Sequence, residues 1–529
     1  MNIITLLDEA AHRTPDVAAI IDGPLGRERS TSFAKIRTRS MQIAALLARS
    51  GLSRGDGIVI LIPMSAVLYT VIAAALRLGA VPVFIDPDQA AAQLGRCHGA
   101  LPLKAFVGSP LACLFRLLKP ELRAIKPVFV AEGWFPGTTS LGLANRMAPV
   151  GYTVTDLDEA PAMLSFTSGS TGAAKGLLRS HRLLLATQEI LAHHLDLRPG
   201  SINLATMPAL VMANLGRGVT SLIPGVDLRH PGAADPARIA GAITRWKAES
   251  LLASPTLVEH LADHCLALGR PLDSLRSVFT GGAPVFPRVL DKSAQVSPLA
   301  VVTALYGSTE AEPIALLSHD EMTSTDRAAI RQGAGLPAGK PVAEIKLSIL
   351  QDRWGEPLAG VTEEAMQTLA LPPRTRGEIV VSGPHVSAGY LNGQGDAETK
   401  FRVGDTVWHR TGDSGWLDEQ DRLWLSGRCT ERMGEAPDAV YPLMMEAALA
   451  DHPHFARATL VTHHGNRLLV LEMRQGATPP VLEELKEGLP WAGIDRLVTL
   501  PHIPLDRRHN AKIDFPALLH EISKRHIDT

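Results

Sequence analysis

Between Gly57 and Leu76 the chain runs for twenty residues, GIVILIPMSAVLYTVIAAAL, without a single charge. A stretch of that length is enough to cross a bilayer as one helix. Its internal pattern argues otherwise. Residues 58–62 form a run dominated by β-branched side chains, Pro63 interrupts it, and residues 67–78 turn rich in Ala and Leu. β-Branched side chains suit a pleated surface, proline ends a strand, and alanine favours helix. The segment therefore predicts a buried strand followed at once by a packed helix, not a membrane span. The alternation recurs in strand-like VPVFID (81–86), helix-like LVEHLADHCLAL (257–268) and strand-like LRSVFTGG (275–282). It predicts an α/β chain, a large N-terminal domain of layered sheets and helices on substantially parallel sheet.

The 529 residues leave room for several core-forming units at roughly 150 residues each. A hydrophobic fraction of 46% and a charged fraction of 20% set aside disordered, collagen-like and coiled-coil chains. With 52 basic against 54 acidic residues, the whole chain carries no footprint for nucleic acid or an anionic membrane, although the total says nothing of local patches. Cys97, Cys113, Cys265 and Cys429 form no CxxC pair, which fits a reducing, cytoplasmic setting. The first residues, MNIITLLDEAAHRTPD, read as a short amphipathic helix and lack the basic start and apolar run of a signal peptide. No self-similar period is visible. Around residues 331–360 Gly and Pro multiply, predicting a small β-rich subdomain. After Gly427-Arg428 comes a polar stretch, CTERMGEAPD, and some ninety residues beyond it suffice for an α+β unit. The expected division is a large domain over 1–427 and a small, mobile lid over 428–529.

The most informative run is SFTSGSTGAAKG (165–176), at the end of an apolar strand. Glycines let backbone N–H groups approach a phosphate, hydroxyls add donors, and a lysine adds charge. It is not a Walker A loop, because Ala174 precedes Lys175 and Gly176 follows it. Further along come Gly281-Gly282-Ala283-Pro284, Tyr306-Gly307-Ser308-Thr309-Glu310, Gly377-Glu378 with Gly389-Tyr390, Thr411-Gly412-Asp413, Gly427-Arg428, and Asn510-Ala511-Lys512-Ile513-Asp514.

In that order these motifs resemble those of the adenylate-forming superfamily, which comprises acyl-CoA ligases, peptide-synthetase adenylation domains and firefly-type luciferases. Two departures stand out: Ala174 replaces the usual proline and Ala511 the usual glycine. The resemblance implies ATP and Mg²⁺ as cofactors, with Thr167, Ser168, Gly169, Ser170, Thr171, Gly172 and Lys175 around the β- and γ-phosphates. It implies Gly282, Ala283 and Pro284 on the adenine side, with Tyr306, Gly307 and Ser308 completing the nucleotide site. Thr309 would donate to the α-phosphate, Glu310 would hold Mg²⁺, and Asp413 and Arg428 would take the ribose. Lys512 would swing in from the small domain to bridge carboxylate and α-phosphate, rotating about Thr430. Such a cation is needed, since two unit charges at about 4 Å repel by about 4 kcal/mol at an effective dielectric near 20.

Other candidates carry less. His193-His194, His452/His454 and His463-His464 have no carboxylate or Cys at ligand spacing, so they read as satisfied or exposed histidines. Trp416 reads as hairpin packing, with turn chemistry from residues 418–421. No GxSxG nucleophile is evident.

The segment expected at the acyl pocket, ATMPALVM (205–212), is small and apolar, which suits an aliphatic acid. The substrate expected is a fatty or 3-hydroxy fatty acid, carried on to a thioester with CoA. A second outcome stays open. VWHRTGD (407–413) and RHNAKI (508–513) are similar to segments of bacterial olefin β-lactone synthetases, which adenylate a 3-hydroxy acid and let its own hydroxyl attack. The hinge loop Glu431-Arg432-Met433-Gly434 also lacks the lysine usual in thioester-forming relatives. Loading of a carrier protein, or a non-catalytic nucleotide-binding role, are the remaining alternatives.

Overall fold

The computed structural model describes residues 1–529 except 150, 152, 168–173, 229, 436–437, 507–511 and 526–529. The uncharged stretch splits at its proline: Gly57–Leu61 is a strand and Ala66–Leu78 a helix capped by the Ser65 side chain. Among the described residues no helix is long and apolar enough to cross a membrane. The strand-like run after it is shorter than its hydrophobicity suggests, ending as Val81–Val83. Phe84 still bonds to Leu164, but Asp86 then accepts from Asp88 N at 2.9 Å and turns the chain away.

Among the described residues three sheets form. In one, Gly57–Leu61, Val81–Val83, Leu103–Gly108, Val128–Val130 and Pro161–Thr167 run parallel, and Lys175–Ser180 returns antiparallel to Pro161–Thr167. A larger sheet has a parallel half through Ala18–Gly23, Thr220–Pro224, Ile202–Ala205, Ser250–Ala253, Ser277–Gly281 and Val301–Ser308. It continues antiparallel from Ala311–Ser318 through Leu336–Pro341, Leu423–Arg428, Thr406–Leu417 and Gly377–Ser382 to Lys346–Leu350. The β-rich region is thus larger than the expected 331–360. Helices Phe33–Arg49 and Ala66–Leu78 pack between the sheets, where Phe33, Ile36, Tyr69 and Ile72 are buried in the main core.

The C-terminal domain has its own sheet, Phe455–His463, Asn466–Met473 and Arg496–Leu500, with helices Pro442–Ala448 and Phe515–Lys524. Its core is separate, built on Met444, Met445, Phe455, Leu460 and Leu469. The chain is therefore mixed α/β, with a large layered domain and a small C-terminal one.

Candidate active site

Parallel sheets present binding chemistry at the carboxyl ends of their strands. Ser277–Gly281 and Val301–Ser308 pair in register, Gly281 beside Leu305. A Cβ on Gly281 would fall 2.4 Å from the Leu305 carbonyl oxygen, so only glycine lets these strands finish side by side. Gly282, Ala283 and Pro284 leave the first strand end. Tyr306, Gly307 and Ser308 close the second, and Thr309 and Glu310 form the turn into Ala311–Ser318. Met207, beyond strand Ile202–Ala205, lies next to Gly282.

The Tyr306 hydroxyl donates to Asp413 Oδ2 at 2.7 Å, and Arg428 Nη1 stands 3.0 Å from Asp413 Oδ1. Asp413 and Arg428 are direct partners across the antiparallel pair Thr406–Leu417 and Leu423–Arg428. Gly412 sits at φ +72°, where a Cβ would come within 3.0 Å of the Trp354 ring. Beneath them Arg410 and Glu378 form a bidentate buried pair, Nε–Oε1 2.8 Å and Nη2–Oε2 2.6 Å. That fork stiffens the strand carrying Asp413.

Glu310 Oε1 accepts from the Tyr390 hydroxyl at 2.7 Å. Burial alone would raise this carboxyl. His409, the Tyr390 bond and the Lys400 ammonium more than reverse that and hold it below its ordinary range. Lys400 Nζ donates to Ser387 O at 2.5 Å, and burial pushes the ammonium down to about 8. Burial likewise pushes His409 down to about 3. Lys175 is buried, with Nζ 5.3 Å from the centre of the Tyr390 ring and 3.7 Å from Glu398. Arg179 links the phosphate-loop hairpin to the Thr309 turn, donating to Ser165 Oγ at 2.8 Å and to Thr309 O at 3.0 Å. Thr167 is buried at the strand end; Ser168, Gly169, Ser170, Thr171 and Gly172 lie outside the described residues.

Sequence reading missed Arg179, Glu398, Lys400 and the inward role of His409. Only the adjacency of Lys400 and His409 to the motifs could have flagged them.

Lys512 reaches this region from the C-terminal domain. Its N–H donates to Asp506 Oδ1 at 2.9 Å and its carbonyl accepts from Asp506 N at 2.8 Å, while Leu505 bridges Ile513. Its ammonium is near enough to Glu431 for its charge to act on that carboxyl. Burial pushes Glu431 up to about 7, with Arg428 and Lys512 opposing the rise and Asp413 adding to it. Lys512, Arg428 and Asp413 thus all act electrostatically on the hinge carboxyl of Glu431. The helical turn Cys429–Glu431 holds Thr430, and Arg432 beyond it pairs with Asp352 at 3.2 Å.

Two lesser candidates also resolve. Trp416 stacks on Trp424 at 5.1 Å inside the hairpin, and Asp418 Oδ1 accepts from Gln420 N and Arg422 N, each at 2.9 Å. His193 and His194 do acquire a carboxylate, because the fold brings Glu344 to 2.9 Å from His194 Nε2. The three groups could geometrically hold a cation. Spacing along the chain could not show this.

The family described as AMP-binding enzyme matches residues 7–391. An olefin β-lactone synthetase of Stenotrophomonas maltophilia is 34% identical, covering 97% of this chain and 96% of its own length. One from Xanthomonas campestris pv. campestris is 32% identical with the same coverage. Among solved structures, amide bond synthetase McbA from Marinactinospora thermotolerans superposes with a TM-score of 0.78 at 20% identity, covering 98% of this chain and 99% of that one.

Proposed function

The chain belongs to the AMP-binding enzyme family and is an AMP-forming acid ligase or synthetase, and from that premise we propose that it converts a 3-hydroxy fatty acid to its adenylate and closes the adenylate to a β-lactone. A carboxylate oxygen attacks the α-phosphorus of ATP and pyrophosphate leaves. The C3 hydroxyl oxygen then attacks the acyl carbon, AMP leaves and the hydroxyl proton is released. An internal nucleophile is already in place, and proximity alone gives effective molarities of about 10⁵ M or more.

The observation that carries the activation step is the cluster of Tyr306, Asp413 and Arg428 at the strand ends, with the Lys512 charge acting on the neighbouring Glu431. In our reading Thr167 and Lys175, with Ser168–Gly172 between them, take the β- and γ-phosphates, and Thr309 donates to the α-phosphate. Gly282–Pro284 and Tyr306–Ser308 line the nucleotide, and Asp413 and Arg428 take the ribose. Lys512 neutralises charge between the two reacting anions. Mg²⁺ would be held by Glu310, whose low carboxyl range keeps it an anionic oxygen donor of the kind this ion prefers. The ion would offset the charge of the triphosphate when bound. We place the boundary between the large and small domains at Gly427-Arg428.

Ring closure is favoured over transfer to CoA by the two whole-length β-lactone synthetase relatives and by Glu431-Arg432 in the hinge loop. Incubation with ATP, Mg²⁺ and a panel of plain and 3-hydroxy acids, with and without CoA, tests it. The expected product has the mass of the 3-hydroxy acid less water, forms without CoA, and is accompanied by AMP. A product that appears only as a CoA thioester overturns ring closure; ADP in place of AMP overturns the whole scheme.

A further inference from the structure

Helix Pro110–Leu118 is inside out. It buries Cys113 and Arg116, and it exposes Leu111 (75%), Leu114 (52%) and Leu118 (74%), with Leu117 beside them. Residues 111, 114 and 118 share one face at helical spacing. The buried arginine is tied inward, its Nη2 donating to Arg123 O at 2.7 Å and Ile125 O at 2.9 Å, although its Nε has no partner among the described residues. The helix is therefore locked to the following turn by its charged side chain, with its leucines outward. Among the described residues nothing covers that face, whose three leucines are each more than half exposed.

The surroundings say what would. Ala131 N donates to Gly108 O at 2.8 Å, so the loop holding Trp134 starts beside the strand end that launches the leucine helix. Trp134 is 74% exposed. Charge is one-sided as well. Residues 103–126 contain five basic residues, Lys104, Arg116, Lys119, Arg123 and Lys126, against one acid, Glu121, in a chain whose totals nearly balance. Apart from the buried Arg116 the basic groups lie at the surface or half-buried. Phe106 N bonds to Pro127 O at 3.0 Å, which brings Lys126 to the Lys104 end of the same strand. Nearby Glu132 is paired with Arg29 at 3.5 Å. Outward leucines, an exposed tryptophan and a cationic border are the composition of an interfacial helix on anionic lipid.

We propose that Pro110–Leu118, with Trp134 and the Lys119–Lys126 border, docks this enzyme on an anionic bilayer surface. The leucines enter the acyl boundary and the lysines and arginines stay among the headgroups. This placement does not depend on which acid is activated or on the fate of its adenylate.

Flotation with phosphatidylcholine vesicles containing about 30% phosphatidylglycerol tests it, against pure phosphatidylcholine and in raised salt. The whole chain should float with the anionic vesicles and much less with neutral ones. The triple variant Leu111→Ser, Leu114→Ser, Leu118→Ser should lose at least about tenfold in bound fraction, as removing several exposed leucines from an apolar phase requires. Its melting temperature should not fall, because those side chains are outside the core. Lys119→Gln, Arg123→Gln, Lys126→Gln should abolish the preference for anionic over neutral vesicles. Failure of the unaltered chain to bind anionic vesicles overturns the proposal, and so does undiminished binding by the leucine variant. A dimer that dissociates in the leucine variant, without vesicle binding by the parent, would assign the face to self-association instead.

Discussion

The Tyr390 hydroxyl donates to Glu310 Oε1 at 2.7 Å, joining residues eighty positions apart, and the same ring lies 5.3 Å from Lys175 Nζ. One aromatic side chain thus touches both the candidate metal carboxylate and the candidate phosphate lysine. Tyr390→Phe keeps the ring and removes the donor. A hydrogen bond to a charged group contributes about 1.5–3 kcal/mol, so pyrophosphate exchange should need roughly tenfold more Mg²⁺ or more. An unchanged Mg²⁺ titration would separate Tyr390 from metal binding.

Lys512→Ala separates the half-reactions. Loss of one preorganised electrostatic partner lowers rate by about 10²–10³. Adenylate formation should fall by that amount, while conversion of a supplied 3-hydroxyacyl-adenylate should persist. Equal losses in both would refute the assigned role.

Lys175 meets Glu398 at 3.7 Å, and that carboxylate is largely exposed. With Glu398 in solvent and only Lys175 buried, the pair is screened and contributes about 0–1 kcal/mol. Glu398→Gln should therefore tighten ATP binding by no more than about fivefold, most at low salt, when followed by calorimetry. Weaker binding would mean that Glu398 helps nucleotide rather than competing with it.

Burial pushes the Glu446 carboxyl up to about 8, with Glu431 adding to the rise. A carboxyl raised above its unfolded value keeps a proton in the folded chain that the unfolded chain has released. Stability is consequently lost as pH climbs from the ordinary carboxylate range through about 8. Glu446→Gln retains an acceptor for Thr459 Oγ1, now 3.1 Å away. Scanning calorimetry should find the variant more stable by on the order of 1 kcal/mol at about pH 8.5 and little changed near pH 5. An equal change at both pH values would point to packing instead.

Local physics made part of this readable in advance. Residues 57–78 separate into strand and helix because Pro63 and Ser65 act on their immediate neighbours. The motif residues were visible because a turn at a strand end must carry its chemistry contiguously. The strand Thr406–Leu417 was not, since Arg410, Thr411, Gly412 and Asp413 break any alternation of polar and apolar. Its polar groups are satisfied by distant partners: Arg410 by Glu378 and Asp413 by Tyr306. Lys400 and His409 against Glu310, and Glu344 against His194, arise the same way. No spacing along the chain encodes them.

Asp352 holds two donors from beyond the hinge, Arg432 Nη1 at 3.2 Å and the Tyr441 hydroxyl at 3.1 Å, and its side chain is only 3% exposed. A swing of the C-terminal domain would strip both from one secluded carboxylate and leave it only the Trp354 N–H, at 3.1 Å. Under the proposed ring closure the substrate brings its own nucleophile, no thiol has to enter, and the clasp can stay shut. A single aspartate thus latches the hinge to the large domain, and any rotation must first open that latch.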